Sequence, residues 1–184
     1  MSNISHDTIT IDTPVAGDAR GIQEVFYKTW LATYPNTDVG ITVEDIEDKF
    51  KDAFTVETLT KRREKIANPP DGQFLLVAKD NDKVVGLCSV MKETERNKLS
   101  TLYVLPEYQG KGVGRALWEQ ACSFLDMNKD TYLEVATYNA NAIAFYSKLG
   151  FEDTGKRLDF HAVMKSGNAI PEMEMLKRAE VNIL

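Results

Sequence analysis

The sequence predicts a mixed α/β (α+β) fold built on one sheet. Three observations lead there. Residues 73–105 read as three consecutive strands joined by short polar turns, a meander. The last of these strands runs into Pro106 and then three glycines in five residues, Gly110, Gly112 and Gly114, which open an amphipathic helix. Beyond that helix come a strand, a helix and final strands, so the order is not the regular alternation of a doubly wound sheet.

Each element has its own signal. Ile9–Ile11 alternates and predicts a short first strand. Gly17-Asp18 supplies helix-start chemistry, and Ile22, Val25, Phe26, Thr29, Trp30 and Tyr34 fall on one helical face until Pro35-Asn36. Thr42-x-x-Asp45 and Thr55 predict two further helix starts. Between residues 38 and 58 seven acids stand against two lysines. They read either as a solvated helix face or as a wall that attracts a cationic substrate. Pro69-Pro70-Asp71-Gly72 is a firm break. Strands are predicted over Gln73–Lys79, Val84–Met91 and Lys98–Leu105, with turns at 80–82 and 92–97. The helix after the glycines buries Val113, Ala116, Leu117, Ala121, Phe124 and Leu125. Thr131–Thr137 is a strand, Asn141–Lys148 a short helix closed by Gly150, and residues 151–163 and 170–176 are the last strands.

Composition sets limits. The 184 residues suit one domain spanning 1–184, with 43% hydrophobic and 27% charged residues. A net charge of −6 argues against a nucleic-acid partner. Cys88 and Cys122 have no metal-ligand or redox spacing and read as reduced core residues. The polar N-terminus lacks the pattern of a signal peptide, and no apolar run approaches the ~20 residues that span a bilayer. The expectation is a cytoplasmic protein without membrane or metal.

The glycine turn leaves backbone N–H groups uncovered at a helix start, which suits an anionic ligand. A dinucleotide fingerprint fails, because the third glycine would fall on Arg115 or Leu117; a Walker A loop fails at Arg115 as well. The turn does fit Q/R-x-x-G-x-G/A, as Gln109-x-x-Gly112-x-Gly114. About 25 residues later stands Asn139-Ala-Asn-Ala142-Ile143-Ala-Phe145-Tyr146-x-x-Leu149-Gly150-Phe151. This pair, in order and at this separation, resembles the GCN5-related N-acetyltransferase (GNAT) family over residues 74–151.

The resemblance implies the acyl-CoA N-acyltransferase fold, a mostly antiparallel sheet splayed at its middle strands with helices on both faces. It implies acetyl-CoA as donor and no metal. The backbone of Gly110, Lys111, Gly112, Val113, Gly114 and Arg115, with Gln109, would hold the pyrophosphate. Leu102, Tyr103 and Val104 would pair with the pantetheine arm like an added strand, and Asn139 and Ala142 would lie along it.

Acetyl transfer to an amine needs a neutral nucleophile, a donor for the developing oxyanion and a proton for the leaving thiolate. Tyr146, seven residues after Asn139, stands where the family has its general acid; its alternative is a packing ring. The oxyanion donor is read as the Val104 N–H. Glu134 stands where family members that acetylate protein N-termini have their base, with Glu93 or water as alternatives. Tyr103 and Tyr138 could line the acceptor site, and His161 could stand where acceptors enter. The reading is an acetyl-CoA-dependent N-acetyltransferase acting on a cationic primary amine, either a polyamine or a peptide N-terminus or lysine, with a homodimer left open. The rival is a catalytically silent acyl-CoA sensor.

Overall fold

A computed structural model describes residues 9–159 and 163–179. The elements are β1 (Thr10–Asp12), α1 (Ala19–Thr33), α2 (Val43–Lys49), α3 (Val56–Ala67), β2 (Gln73–Asp80), β3 (Lys83–Lys92), β4 (Asn97–Val104), α4 (Val113–Cys122), β5 (Thr131–Ala136), α5 (Ala140–Lys148), β6 (Glu152–Asp159) and β7 (Pro171–Lys177). The seven strands form one sheet in the order β1-β2-β3-β4-β5-β7-β6. Every pair is antiparallel except β4 with β5. His6 and His161, and the predicted strand beyond residue 159, lie outside the described residues.

The meander forms because β2 and β3 are joined by the two-residue turn Asn81-Asp82, with Asn81 in the left-handed region at φ 54°. Residues alternate across these strands, so both faces of β3 become buried: Val84 to Val90 are all inaccessible. One face is covered by α1 through Ile22 and Val25, the other by α4 through Leu117, Trp118 and Ala121. Phe151, immediately after α5, seals the second face against Trp118. A smaller core, Trp30, Ile41, Ile46, Ala136, Met164 and Ile170, holds α1, α2 and the stretch before β7 together. Among the described residues no helix is long and apolar enough to cross a membrane, and no group of three or more His, Cys, Asp or Glu could hold a metal ion.

Three acids of α2 and α3 are engaged locally. Asp48 pairs with Lys51 and Glu57 with Lys61 on the exposed surface. Asp45 is buried and does two structural jobs. It closes a capping box with Thr42, accepting from the Thr42 N–H and hydroxyl at 2.8 and 2.9 Å while Thr42 Oγ1 accepts from the Asp45 N–H. Its other oxygen accepts from the Ser166 N–H at 2.7 Å, tying α2 to the chain ahead of β7. Burial pushes its carboxyl pKa up, but the hydrogen bonds from Thr42 and Ser166 outweigh it and hold the group at about 2. A carboxyl depressed in the folded state stabilises it above the unfolded pKa, and that stabilisation disappears as pH falls from about 4 towards 2. Asp45→Ala should therefore cost about 2 kcal/mol at pH 7, and urea titrations should show the gap to the parent protein closing over that acid range.

Candidate active site

The parallel pair β4–β5 meets at only two positions, Asn97 opposite Thr131 and Lys98 opposite Tyr132. Beyond them β5 continues against β7 through to Ala136, whereas β4 follows β3. Two features fix the parting point. A bulge at Ser100 interrupts the β3–β4 register, between Leu99 opposite Val90 and Thr101 opposite Ser89, and bends β4. The Asn97 side chain, fully buried, donates to Asp126 O at 2.8 Å and accepts from the Asp126 N–H at 3.3 Å; its backbone N–H donates to Asp130 O. The start of β4 is thereby bolted to the connection that leads into β5.

Past this vertex β4 has an open edge. Leu105 N–H donates to Val85 O, and the unbroken register back to Thr101 alternates from there. The N–H groups of Leu102 and Val104 consequently face the gap rather than β3. Val104 O is taken by Gln109 Nε2 at 2.9 Å, which fastens the turn to the end of the strand. In the turn, Gly110 and Gly112 adopt φ 73° and 83°, the left-handed region, and a side chain at either would enter open space. Gly114 serves packing instead: a Cβ there would touch the Phe145 ring at 3.4 Å, so α5 lies directly against α4. Gly112 caps α4, and the first-turn N–H groups of Val113, Gly114 and Arg115 point out of the helix end without intrahelical acceptors. Lys111 extends over the Tyr108 ring and Arg115 lies 3.9 Å from Glu119, so cationic side chains flank this helix end.

Tyr146 and Glu134 lie on opposite sides of the sheet. Leu133 and Val135 turn towards α4 and α5, in the cluster against which Tyr146 packs, and alternation sends Glu134 to the other face. The Tyr146 ring sits edge-on to Phe145 and Phe151. Burial, then Tyr103 and Cys88, push its phenol pKa well up, so it remains protonated at neutral pH. Glu134, two residues along β5 past the vertex, accepts from Lys98 Nζ at 2.9 Å. Glu93 accepts instead from the Tyr132 hydroxyl at 3.1 Å, at the closed end of the splay. Asn139 caps α5, its Oδ1 accepting from the Ala142 N–H at 3.1 Å, which leaves its amide nitrogen as a donor.

The sequence reading missed the groups that surround Tyr103. Its hydroxyl lies 3.2 Å from the Tyr34 hydroxyl and accepts from Trp30 Nε1 at 3.1 Å, while the Tyr138 hydroxyl donates to Tyr34 O at 2.9 Å. Burial raises the pKa of all three phenols, that of Tyr138 to about 12, and the Glu172 carboxylate adds to each shift. A single apolar face on α1 could not announce that Trp30 and Tyr34 turn their polar atoms onto β4. Glu172 sits opposite Ala136 on β7, in a Glu-x-Glu alternation that was legible only as a strand.

Residues 42–151 match the acetyltransferase (GNAT) family. The chain belongs to this family. Among curated GNAT relatives, a probable N-acetyltransferase, san, of Drosophila melanogaster is 30% identical over 118 residues, 60% of this chain and 64% of that protein. The ribosomal protein bS18 alanine N-acetyltransferase of Escherichia coli is 32% identical over 83 residues, 44% of this chain and 56% of that protein. The matches thus span less than two thirds of these relatives. The GNAT fold is shared with the PaiA N-acetyltransferase of Thermoplasma acidophilum, crystallised with coenzyme A: TM-score 0.68, 22% identity, covering 93% of this chain and 99% of that one.

The vertex makes a direct prediction. Asn97→Ala strands the backbone groups of Asp126 in the interior and should cost about 2–3 kcal/mol. Hydrogen exchange should accelerate first at residues 126–132, where the bolt attaches.

Proposed function

We propose that this protein transfers the acetyl group of acetyl-CoA to the primary amine of a peptide or small amine acceptor, by direct attack on the thioester. The observation that carries this reading is the open β4 edge, with the Leu102 and Val104 N–H groups turned into the gap, continuing into the glycine-capped end of α4. That edge suits an extended amide-bearing chain such as pantetheine, and the adjoining helix end suits a pyrophosphate. The geometry fits the ligand: open space above Gly110 and Gly112, uncommitted N–H groups and flanking cations. Asn139 Nδ2 contributes a further donor beside it.

In the reaction the amine nitrogen attacks the thioester carbonyl carbon. The carbonyl oxygen gains negative charge and is met by the Val104 N–H, with Leu102 presenting the same orientation one pleat earlier. The C–S bond then breaks, and the departing thiolate takes the Tyr146 proton, a role that a buried phenol held neutral can fill. The proton lost by the amine goes to Glu134. Lys98 keeps that carboxylate fixed in place through the 2.9 Å ion pair. The placement of the two residues on opposite sides of the sheet supports entry of the amine from the Glu134 side and departure of the thiolate on the Tyr146 side.

For the acceptor, the local engagement of Asp45, Asp48 and Glu57 withdraws three of the seven acids counted between residues 38 and 58 from a cationic ligand, which weakens the polyamine alternative. Relatives described as an N-alpha-acetyltransferase of Mycobacterium tuberculosis, 38% identical over 66 residues, and the bS18 alanine enzyme support a peptide amine.

Two measurements test the roles. Tyr146→Phe should lower kcat by about 100-fold with acetyl-CoA affinity intact, followed as CoA release; unchanged turnover would remove Tyr146 from the chemistry. Glu134→Gln should abolish the acidic limb of the kcat/KM–pH profile. Tight acetyl-CoA binding without transfer to any amine would point to a sensor instead.

A further inference from the structure

A cavity lies between α1 and the α2–α3 segment. Its volume is about 330 Å³, and its walls include Phe26, Trp30, Lys49, Phe50 and Arg62, with one acid, Asp52. That size falls in the range of small-molecule sites. Its floor is aromatic and rigid. Trp30 is fixed by its Nε1 bond to the Tyr103 hydroxyl at 3.1 Å, and Phe26 meets Tyr103 edge-on at 5.5 Å. Tyr103, on β4, thus stands behind both of these lining rings.

Two cations are set into these walls. Lys49 Nζ lies 4.8 Å from the centre of the Trp30 ring, and the Arg62 guanidinium 5.2 Å from that of Phe26. Burial pushes both pKa values down, the mark of charges partly withdrawn from water. Arg62 is also preorganised. Gln23, itself buried, donates Nε2 to Ala53 O at 3.2 Å, which fixes its amide with Oε1 towards Arg62; the guanidinium donates to that oxygen through Nε and Nη2 at 3.2 and 2.6 Å. The remaining guanidinium donors are held at a fixed orientation. Among the described residues no carboxylate lies within ion-pair distance of Arg62. A guanidinium oriented by a neutral amide over an aromatic face suits a planar carboxylate attached to an apolar body.

We propose that this cavity binds a carboxylate on the amine acceptor, with the apolar part of the acceptor against Trp30 and Phe50. Assignment to the acceptor rests on the acetyl-transfer reading; recognition of a carboxylate does not. It replaces the expectation of a polycationic acceptor, since the cavity wall sets two cations, Lys49 and Arg62, against the single acid Asp52.

The experiment uses the full chain with 3-phenylpropanoate and its neutral twin, 3-phenylpropanamide. Binding is read by tryptophan fluorescence without acetyl-CoA. The carboxylate should bind at least tenfold tighter than the amide. Arg62→Gln and Lys49→Met should each weaken the carboxylate at least tenfold and leave the amide unchanged; Lys49→Met carries the test should Arg62→Gln fail to fold. Equal binding of the two probes, no binding of either, or parental affinity in the folded variants would overturn the site. In CoA-release assays 3-phenylpropanoate should compete with the amine acceptor. Non-competitive inhibition, or none, would overturn the acceptor assignment while fluorescence still reports the carboxylate site, and absence of transfer to any amine would count against the catalytic reading alone.

Discussion

The architecture of the site depends on where β4 and β5 stop pairing. A parallel pair normally continues until one strand runs out of residues, because each further step satisfies backbone groups on both strands. Here the pair ends after two residues although both strands continue for several more. The buried amide of Asn97 holds the two starting points together, and the bulge at Ser100 turns β4 aside immediately afterwards. Either device alone would be insufficient. Without the clamp the sheet would have no reason to hold together at this seam, and without the bulge the strands would zip up and consume the donors of Leu102 and Val104. β7 completes the arrangement by pairing all of β5 on its far side, so β5 stays ordered despite its missing neighbour.

An open seam in a sheet exposes polar groups that must be stabilised, and the face that carries Glu134 shows how. Glu174 is buried opposite Glu134 on β7 and is met by Arg96 at 3.1 Å and Lys156 at 3.2 Å. Arg96 also stacks 3.6 Å from the centre of the Tyr132 ring, whose hydroxyl donates to Glu93. With Lys98–Glu134 this forms a charge-alternating layer below the vertex. Paired buried charges add little net stability compared with apolar packing, since desolvation offsets most of their attraction. Their value here is positional: each carboxylate has one geometry in which its cations can reach it. Glu134 is thus presented at the seam by a network that would resist its displacement.

Much of this was legible in the residues, for identifiable reasons. The meander, the glycine turn and the helix after it follow from local chemistry: alternation, left-handed turn positions and one apolar helical stripe. Tyr146 and Glu134 are singled out by resemblance to the GNAT family, which implies an acid and a base at those positions relative to Asn139. Other features were not accessible to spacing. Asn97 looked like a turn residue, because an asparagine at a strand start is common and its clamp partners lie about 30 positions further along. Gln109 appeared as a ligand-binding residue, while its side chain also anchors Val104 O. Asn139 appeared likewise, and it is first of all a helix cap. The three-dimensional meeting of Trp30, Tyr34, Tyr103 and Tyr138 depends on how α1 crosses the sheet, which no local pattern encodes.

The count of acids between residues 38 and 58 illustrates the same limit for electrostatics. Composition assigns a sign to a segment, but a ligand meets only the charges that one face presents. Lys49 is the last residue of α2 and its chain lies over Trp30, while Asp48 beside it points outward to Lys51. Asp45 is consumed by a cap and a tether, and Arg62 enters the cavity from the middle of α3. The segment is acidic in sum, yet the cavity it lines carries two partly dehydrated cations, Lys49 and Arg62, against one acid, Asp52. The charge that a ligand would meet on this part of the chain is therefore set by packing rather than by composition, and the cavity is joined to the β4 edge through the Trp30–Tyr103 hydrogen bond.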